Sequence, residues 1–330
     1  MIIVTGASGF IGSALIAGLN AKGISDILAV DILGKDEKWK NLRNLRFTDY
    51  LEADDFLEII TAGRFALPVE VVLHLGACSS TTETDASYLI RNNFDYSKAV
   101  AAFALEKKAR LVYASSAATY GDGSKGFSDD ESKLAELVPL NMYGWSKQMF
   151  DLWAQSNGML KKIVGLKYFN VFGPNEYHKA DMRSFVLKGF RQISQTGKVR
   201  LFKSYNPQYA DGRQMRDFLY IKDAVDMTLF FLDNKKAAGI FNIGSGTPRT
   251  WLDLANALFA AMGREPNIEF IDMPDQIRDK YQYFTQADIT KLRKAGYDRQ
   301  PTGLELAVKD YVQNYLNTDA YLSASAFSSV

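Results

Sequence analysis

The chain has 330 residues, 47% apolar and 23% charged, enough to bury a large core without disulfides or structural metals. Its 39 basic and 38 acidic side chains sum to +1, which gives no electrostatic footprint for nucleic acid or for an anionic membrane. A single cysteine, Cys78, excludes an internal disulfide and a multi-cysteine metal centre, and two histidines, His74 and His178, leave no basis for a histidine-rich one, so no metal is expected. No apolar run reaches the roughly 18 residues of a membrane span. The opening MIIVTGASGF lacks the charged and cleavable regions of a signal peptide. A cytoplasmic protein is the expected class.

Short apolar runs alternate with amphipathic segments through the first half. Ile2–Thr5 reads as a strand, Phe10–Lys22 as a helix and Ile27–Asp31 as a second strand. Val69–Leu75 is a further strand, followed by a polar loop and a helix from Asp85 to Lys107. Arg110–Ser115 is a strand, Met142–Gln155 a helix and Ile163–Phe169 a strand. Such alternation predicts an α/β fold with a doubly wound parallel sheet covered on both faces, and continuous runs such as VEVVLHL fit strands buried on both sides. The charge-mixed loop Gly121–Lys133 is the most mobile-looking part of this half. After Asn170 the loops lengthen, and Lys203–Met215 reads as a long polar loop. A helix over Lys222–Asp233 and a strand over Ile240–Gly244 follow, then helices near Trp251–Met262 and Gly303–Leu316. The Ser/Ala-rich end, AYLSASAFSSV, is expected to fray. These patterns predict a dinucleotide-binding domain over 1–170, joined by about 219–245. A smaller α/β substrate-binding domain takes 171–218 and 246–330.

The first strand runs into Gly6-Ala7-Ser8-Gly9-Phe10-Ile11-Gly12, with glycines three apart. Gly6 suits a tight turn, Gly9 a close approach of backbone to a pyrophosphate, and Gly12 close helix–strand packing. The helix that follows points its N–H groups and positive dipole end at the phosphates. Asp31, 19 residues after Gly12 and at the end of strand two, suits the adenosine ribose hydroxyls. Strand, loop, helix and acid together predict a bound dinucleotide. Asp31 alone favours NAD, because a carboxylate repels a 2′-phosphate. Lys35, Lys38 and Lys40 follow closely and are able to neutralise that phosphate, so the sequence leaves NADP open.

Of 17 tyrosines only Tyr143 has a lysine four residues on, Lys147. On a helix the two share a face, and the ammonium is expected to lower the phenol toward working pH. That makes Tyr143 a candidate acid/base for interconverting a hydroxyl and a carbonyl. The pair lies 27 residues after Ser116, at the end of a strand whose carboxyl edge faces the ligand crevice. Ser115 and Ser116 are the candidate hydroxyl donors.

TGASGFIG, SSAATYG and YGWSK together resemble the extended short-chain dehydrogenase/reductase superfamily, whose members transiently oxidise nucleotide-linked sugars. In that pattern the active serine lies four residues before the tyrosine of the strand-end motif, so Tyr120 selects Ser116 over Ser115. A narrower resemblance spans nearly the whole chain. LGACSSTTE (75–83), YASSAATYG (113–121), YFNVFGPNEYHK (168–179), RDF (216–218), FNIGSG (241–246) and YQYFTQAD (281–288) resemble the ADP-glyceromanno-heptose 6-epimerase family. Ala117 and Ala118 stand where a sugar 4,6-dehydratase carries an acidic partner.

The resemblance implies a tightly held NADP, or less often NAD, returned unchanged. Its cofactor positions match Gly6, Gly9, Phe10, Ile11, Gly12, Asp31, Ile32 and Lys38, then Leu75, Gly76, Ala77, Cys78 and Ser79. Asn92, Tyr143, Lys147, Asn170, Val171 and Lys179 complete the set. Ile32 replaces a polar residue of the family, Ala53 a lysine and Leu75 an acid; the first two leave NAD open. Hydride leaves C6″ of an ADP-heptose and returns to the other face of the ketone, which requires an acid/base on each side. Tyr143, helped by Lys147 and Ser116, is implied as one and Lys179 as the other. Ser116, Asn170, Asp181, Lys188, Leu201, Phe202, Arg216 and Tyr281 are implied as substrate contacts, with Arg216 suited to fork onto a diphosphate. The alternative for Arg216 is an ion pair with Asp217 or Asp223. Cys78 is then a cofactor wall, and His74, on a buried strand, is structural. The resemblance further implies a homo-oligomer, a pentamer, acting in lipopolysaccharide core synthesis. A UDP-hexose 4-epimerase is the same-class alternative, and a cofactor-sensing binding protein the alternative from another class.

Overall fold

The structure, a computed structural model, describes residues 1–278 and 281–327. The chain opens with β1 (Ile2–Thr5), α1 (Phe10–Ala21), β2 (Ile27–Asp31), β3 (Asp49–Glu52), α2 (Ala53–Thr61) and β4 (Val71–His74). It continues with α3 (Ala86–Leu89), α4 (Tyr96–Glu106), β5 (Arg110–Ser116), α5 (Met142–Ser156), β6 (Val164–Tyr168) and β7 (Asn170–Phe172). Then come α6 (Phe185–Thr196), β8 (Val199–Phe202), β9 (Met215–Arg216), β10 (Phe218–Tyr220), α7 (Ile221–Asp233) and β11 (Gly239–Ile243). The last elements are β12 (Arg249–Thr250), α8 (Trp251–Ala261), β13 (Ile268–Ile271), α9 (Asp275–Arg278), α10 (Thr290–Lys294) and α11 (Leu304–Tyr311).

Seven strands pair in parallel in the order β11-β6-β5-β4-β1-β2-β3. Strand side chains alternate between faces, and both faces are covered. Val4, Ala29, Leu73 and Leu166 join the apolar cluster built with α1 and α7. Ile3, Leu28, Val72 and Tyr113 join the opposite one, with Phe56 of α2, Val100 of α4 and Phe150 of α5. The order reverses between β1 and β4, and a ligand crevice opens at the carboxyl ends of such strands. Beyond β7 the chain adds three strand pairs, β7–β10, β8–β13 and β9–β12. The predicted doubly wound sheet is therefore present.

Several details differ from the sequence reading. β3 and α2 escape it because the stretch DYLEADDFLEII is rich in acids, and only Phe56 and Ile60 of the helix are buried. The helix expected over Asp85–Lys107 exists, but a π-helical turn, Ile90–Asp95, joins α3 to α4. The loop expected to be mobile is tied down: Phe127 packs on Tyr120 and Phe169, and Asp129 accepts a hydrogen bond from the Asn242 N–H. The tail expected to fray docks instead. Tyr321 and Leu322 are buried, and Asn175 Oδ1 accepts the Leu322 N–H at 2.9 Å. The last three positions, 328–330, lie outside the described residues. No described helix is long and apolar enough to cross a membrane.

Candidate active site

A cleft of about 1660 Å³ lies along the carboxyl ends of β1, β4, β5 and β6 and reaches the strand pairs beyond β7. Its first wall is the glycine loop. Gly6 has φ +68°, and a Cβ there would come within 2.8 Å of the Leu75–Gly76 backbone. A Cβ at Gly12 would collide with the Gly6 carbonyl. The loop is thus held against β4 and α1 more tightly than any side chain permits. α1 opens after Gly9 with no side-chain cap, so its first-turn N–H groups face the cleft unclaimed by a capping side chain.

Asp31 closes this end. Its Oδ2 accepts the Ser8 and Gly9 N–H groups at 2.8 and 3.2 Å, and its Oδ1 accepts the Ile32 N–H at 2.7 Å and Lys38 Nζ at 3.0 Å. The carboxylate is 9% exposed. Lys38 is therefore paired already. Ile32 is 49% exposed and is not on the cleft wall.

Leu75, Gly76, Ala77, Cys78 and Ser79 line the floor of the cleft. Burial pushes the Cys78 thiol up, which fits a wall rather than a nucleophile. Asn92 does not reach the cleft; its amide donates to the Tyr88 carbonyl one turn back. The neighbouring Asn93 holds the floor instead: its Oδ1 accepts the Cys78 N–H at 2.8 Å, and its Nδ2 donates to the Cys78 carbonyl at 3.0 Å and to Ser146 Oγ at 2.9 Å. The π-helical turn carries both asparagines, and extra-residue turns of this kind recur at functional sites. Nothing in the local sequence signals that register.

Ser116, Tyr143 and Lys147 meet on the cleft. Ser116 ends β5, and its hydroxyl hydrogen-bonds the Tyr143 phenol. Ser115 is committed elsewhere, donating to Asp151 Oδ2 at 2.7 Å, which is the physical reason that Ser116 is the free hydroxyl. Tyr120 turns inward and donates to Asn242 at 2.7 Å. Burial lowers Lys147 to about 8, against the pull of Asp151, and its Nζ donates to the Ala114 carbonyl at 2.9 Å. The expected lowering of the phenol by Lys147 is not found. Burial pushes Tyr143 up, and the Ser116 hydrogen bond is what pulls it down.

Lys179 enters from the loop after β7, with Nζ 5.3 Å from the Phe10 ring centroid. Burial lowers it too, opposed by Glu176, whose buried carboxylate accepts the Ser184 N–H and hydroxyl at 2.5 and 2.6 Å. Two desolvated lysines on different elements thus line one cleft. Asn170 and Val171, on β7, line it as well.

At the far end Arg216 is 6% exposed and lies over the Tyr281 and Trp251 rings at 5.1 and 5.8 Å. Neither alternative carboxylate claims it. Asp217 accepts from the N–H groups of Ser245, Gly246 and Ala287 and from the Ser245 hydroxyl, and Asp223 accepts from Thr302. Among the described residues Arg216 has no carboxylate partner, which suits it to an anion. Trp251 packs edge-on against Phe185 and Phe218, and all three line the cleft; the sequence reading gave them no site role. Four predicted substrate contacts lie off it. Lys188 Nζ donates to the Asp181 carbonyl at 2.6 Å on the surface, Leu201 is buried in the core, and Phe202 packs in the β8 strand. No group of described residues has the makings of a metal site.

His74 is structural, as read. The Thr5 hydroxyl contacts its Nδ1 at 2.7 Å, and its Nε2 contacts Ser97 Oγ at 2.9 Å. Ser97 Oγ in turn donates to the Asn93 carbonyl, so Nε2 carries the proton and Nδ1 accepts from Thr5.

Comparison with known proteins agrees with this geometry. The profile of the NAD dependent epimerase/dehydratase family matches residues 2–244. An ADP-L-glycero-D-manno-heptose-6-epimerase of Nitratidesulfovibrio vulgaris is 54% identical, over 96% of this chain and 98% of its own. One from Fusobacterium nucleatum is 48% identical, over 98% of this chain and all of its own. The crystal structure of the Helicobacter pylori ADP-L-glycero-D-manno-heptose-6-epimerase superposes with a TM-score of 0.79 at 26% identity, covering 95% of both chains. By these measures the chain belongs to the NAD dependent epimerase/dehydratase family, in its branch of ADP-L-glycero-D-manno-heptose-6-epimerases.

Proposed function

We propose that this chain inverts C6″ of ADP-D-glycero-β-D-manno-heptose to the L-glycero epimer by transient oxidation, with no net redox change. The observation that carries the reading is one cleft lined by Ser116, Tyr143 and Lys147 on one pair of elements and by Lys179 on another, both lysines desolvated. Inversion needs an acid/base for each face of the ketone, and the two sets supply them. Tyr143 Oη takes or gives the hydroxyl proton on one face, with Ser116 Oγ holding that oxygen in line. Lys147, one helical turn from Tyr143, lines the same wall, its Nζ donating to the Ala114 carbonyl at 2.9 Å. Lys179 Nζ does the same proton work on the other face, at an affinity lowered by burial. Arg216 grips the diphosphate, and the Trp251, Phe185 and Phe218 rings shape that end.

The residues present fit a dinucleotide: a glycine loop packed too closely for a Cβ at Gly6 or Gly12, an uncapped helix start and a buried acid at the ribose end. When bound, it supplies a hydride acceptor and donor. Gly6, Gly9, Phe10, Ile11 and Gly12 would hold its phosphates, Asp31 its ribose, and Leu75 to Ser79 its length. The resemblance favours NADP. The pairing of Lys38 with Asp31 and the apolar, outward Ile32 support NAD instead. Heat-denatured protein analysed by liquid chromatography should release NAD in excess; NADP in excess would reverse this assignment. We also read 171–218 and 246–330 as the substrate-binding part, and the assembly as a cytoplasmic homo-oligomer, which light scattering tests.

Purified protein incubated with ADP-D-glycero-β-D-manno-heptose, without added cofactor, should form the L-glycero product and leave UDP-glucose untouched. Turnover of UDP-glucose alone would place the chain with the 4-epimerases. Loss of neither with Tyr143→Phe would leave only a cofactor-sensing role.

A further inference from the structure

A charged pair lies directly behind the cleft, in a place the chemistry above does not use. Asp151 and Lys167 are both 0% exposed, and Asp151 Oδ2 lies 2.8 Å from Lys167 Nζ. Asp151 also accepts from the Ser115 hydroxyl at 2.7 Å and the Tyr113 hydroxyl at 2.9 Å. Lys167 Nζ donates to Thr119 Oγ1 at 2.5 Å and lies 5.2 Å from the Tyr120 ring centroid. This network ties α5, β5, β6 and the turn after β5 together. Each of these carries or leads into a cleft residue. Ser116 follows Ser115, Lys147 precedes Asp151 by one helical turn, and Asn170 follows Lys167 by three residues.

A buried ion pair is a poor way to gain stability, because well-packed apolar groups of the same size often do as well or better. Its retention behind Ser116 and Lys147 calls for a role in the site. We propose that Asp151 and Lys167 are positioning residues, a charged brace that holds Ser116 and the Lys147 ammonium in register and sets the field that Lys147 experiences. This deepens the epimerase reading and rests on it for the kinetic part of the test.

The groups facing Lys147 identify the brace as the controlling element. From α5 itself come Tyr143 and Asp151; from β5, Ser116 and the Ala114 carbonyl; from the end of β4, His74; from the loop beyond it, Cys78; and from β6, Lys167 behind Asp151. Asp151 is the foremost charge that opposes the desolvation of Lys147. Removing Asp151 takes away the charge that opposes the desolvation of Lys147 and leaves the Lys167 cation behind it unpaired. Removing Lys167 leaves Lys147 facing an unpaired carboxylate. The two changes therefore act in opposite directions on Lys147, which a merely structural role would not produce.

The test is a pH titration of Lys147 by carbon NMR of [13Cε]lysine-labelled protein as purified, assigned with Lys147→Arg, beside the pH profile of kcat. In Asp151→Asn the Lys147 midpoint should fall by on the order of one pH unit, and the alkaline limb of kcat should fall with it. In Lys167→Met both should rise. Asp151→Glu and Lys167→Arg, which keep the charges, should stay near wild type. Folded variants whose midpoint and limb remain in the wild-type place, whatever their kcat, would overturn the proposal. If Asp151→Asn does not fold, Lys167→Met decides by its opposite sign. A wild-type protein that titrates as described but does not epimerise would sink the functional reading and leave this one standing.

Discussion

The proposed reaction gives Tyr143 and Lys179 the chemistry and Arg216 the grip, and substitutions should separate the two. Tyr143→Phe would remove the proposed acid/base, so kcat should fall about 10²–10⁴-fold with little change in KM. Lys179→Met should fall in the same range, because burial has fitted that amine for proton transfer. Arg216→Met should act differently. A charge-assisted hydrogen bond is worth about 1.5–3 kcal/mol, so KM for the ADP-sugar should rise roughly 10–100-fold. Steady-state kinetics on the three variants check this. An Arg216 variant with unchanged KM would place the diphosphate elsewhere. These residues were readable as part of the cleft because each sits in a short local motif. Asn93, Trp251, Phe185 and Phe218 were not, because their place in the cleft depends on a π-turn and on strand pairings far away in sequence. Leu201 and Lys188 mislead for the same reason: the motif that surrounds them says nothing about which way β8 and α6 face.

At the level of elements, the β1–loop–α1 unit is the proposed holder of the dinucleotide. Gly12→Ala would drive a methyl into the Gly6 carbonyl and part α1 from the loop. The purified variant should retain far less dinucleotide, read as the absorbance ratio at 260 and 280 nm, while the sheet still forms. Full retention would mean that the loop is not the phosphate cradle. This unit was legible because strand, glycine spacing and helix are contiguous. The α2 helix was not, because acids hide its two buried positions. The docked tail was not either. Its anchor is Asn175, whose backbone has φ +78° and whose Oδ1 accepts the Leu322 N–H, and no local pattern near residue 322 announces a partner 147 positions earlier.

For the molecule as a whole, acid should be more damaging than the balanced charge suggests. Burial lowers His74 to about 3 and His178 to about 4. A group whose folded pKa is depressed leaves the unfolded chain binding more protons below its ordinary value near 6.5, so stability falls as pH drops through that window. Each histidine contributes about 1.4 kcal/mol per pH unit there. Asp129, which burial raises to about 6, works against them, because it takes up a proton in the folded state first. Glu176, Asp217 and Asp223, also raised by burial, oppose the histidines in the same way, so the histidines' share of about 3 kcal/mol between pH 6.5 and 5 is the upper bound of the loss. Urea unfolding at the two pH values measures the net loss, and a stability that rises toward pH 5 would show that the buried carboxyls outweigh the histidines. The two-histidine count made a metal site unattractive from the sequence. Only the fold shows that His74 is buried and His178 half-buried at the cleft.

The central claim is that one cleft removes a hydride from C6″ and returns the same hydride to the opposite face. ADP-D-glycero-β-D-manno-heptose carrying deuterium at C6″, turned over in ordinary water, tests it directly by NMR and mass spectrometry of the product. The account predicts that the L-glycero product keeps its deuterium at C6″ through repeated turnovers. Loss of the label to solvent would contradict it, because inversion would then proceed by proton exchange rather than by hydride return.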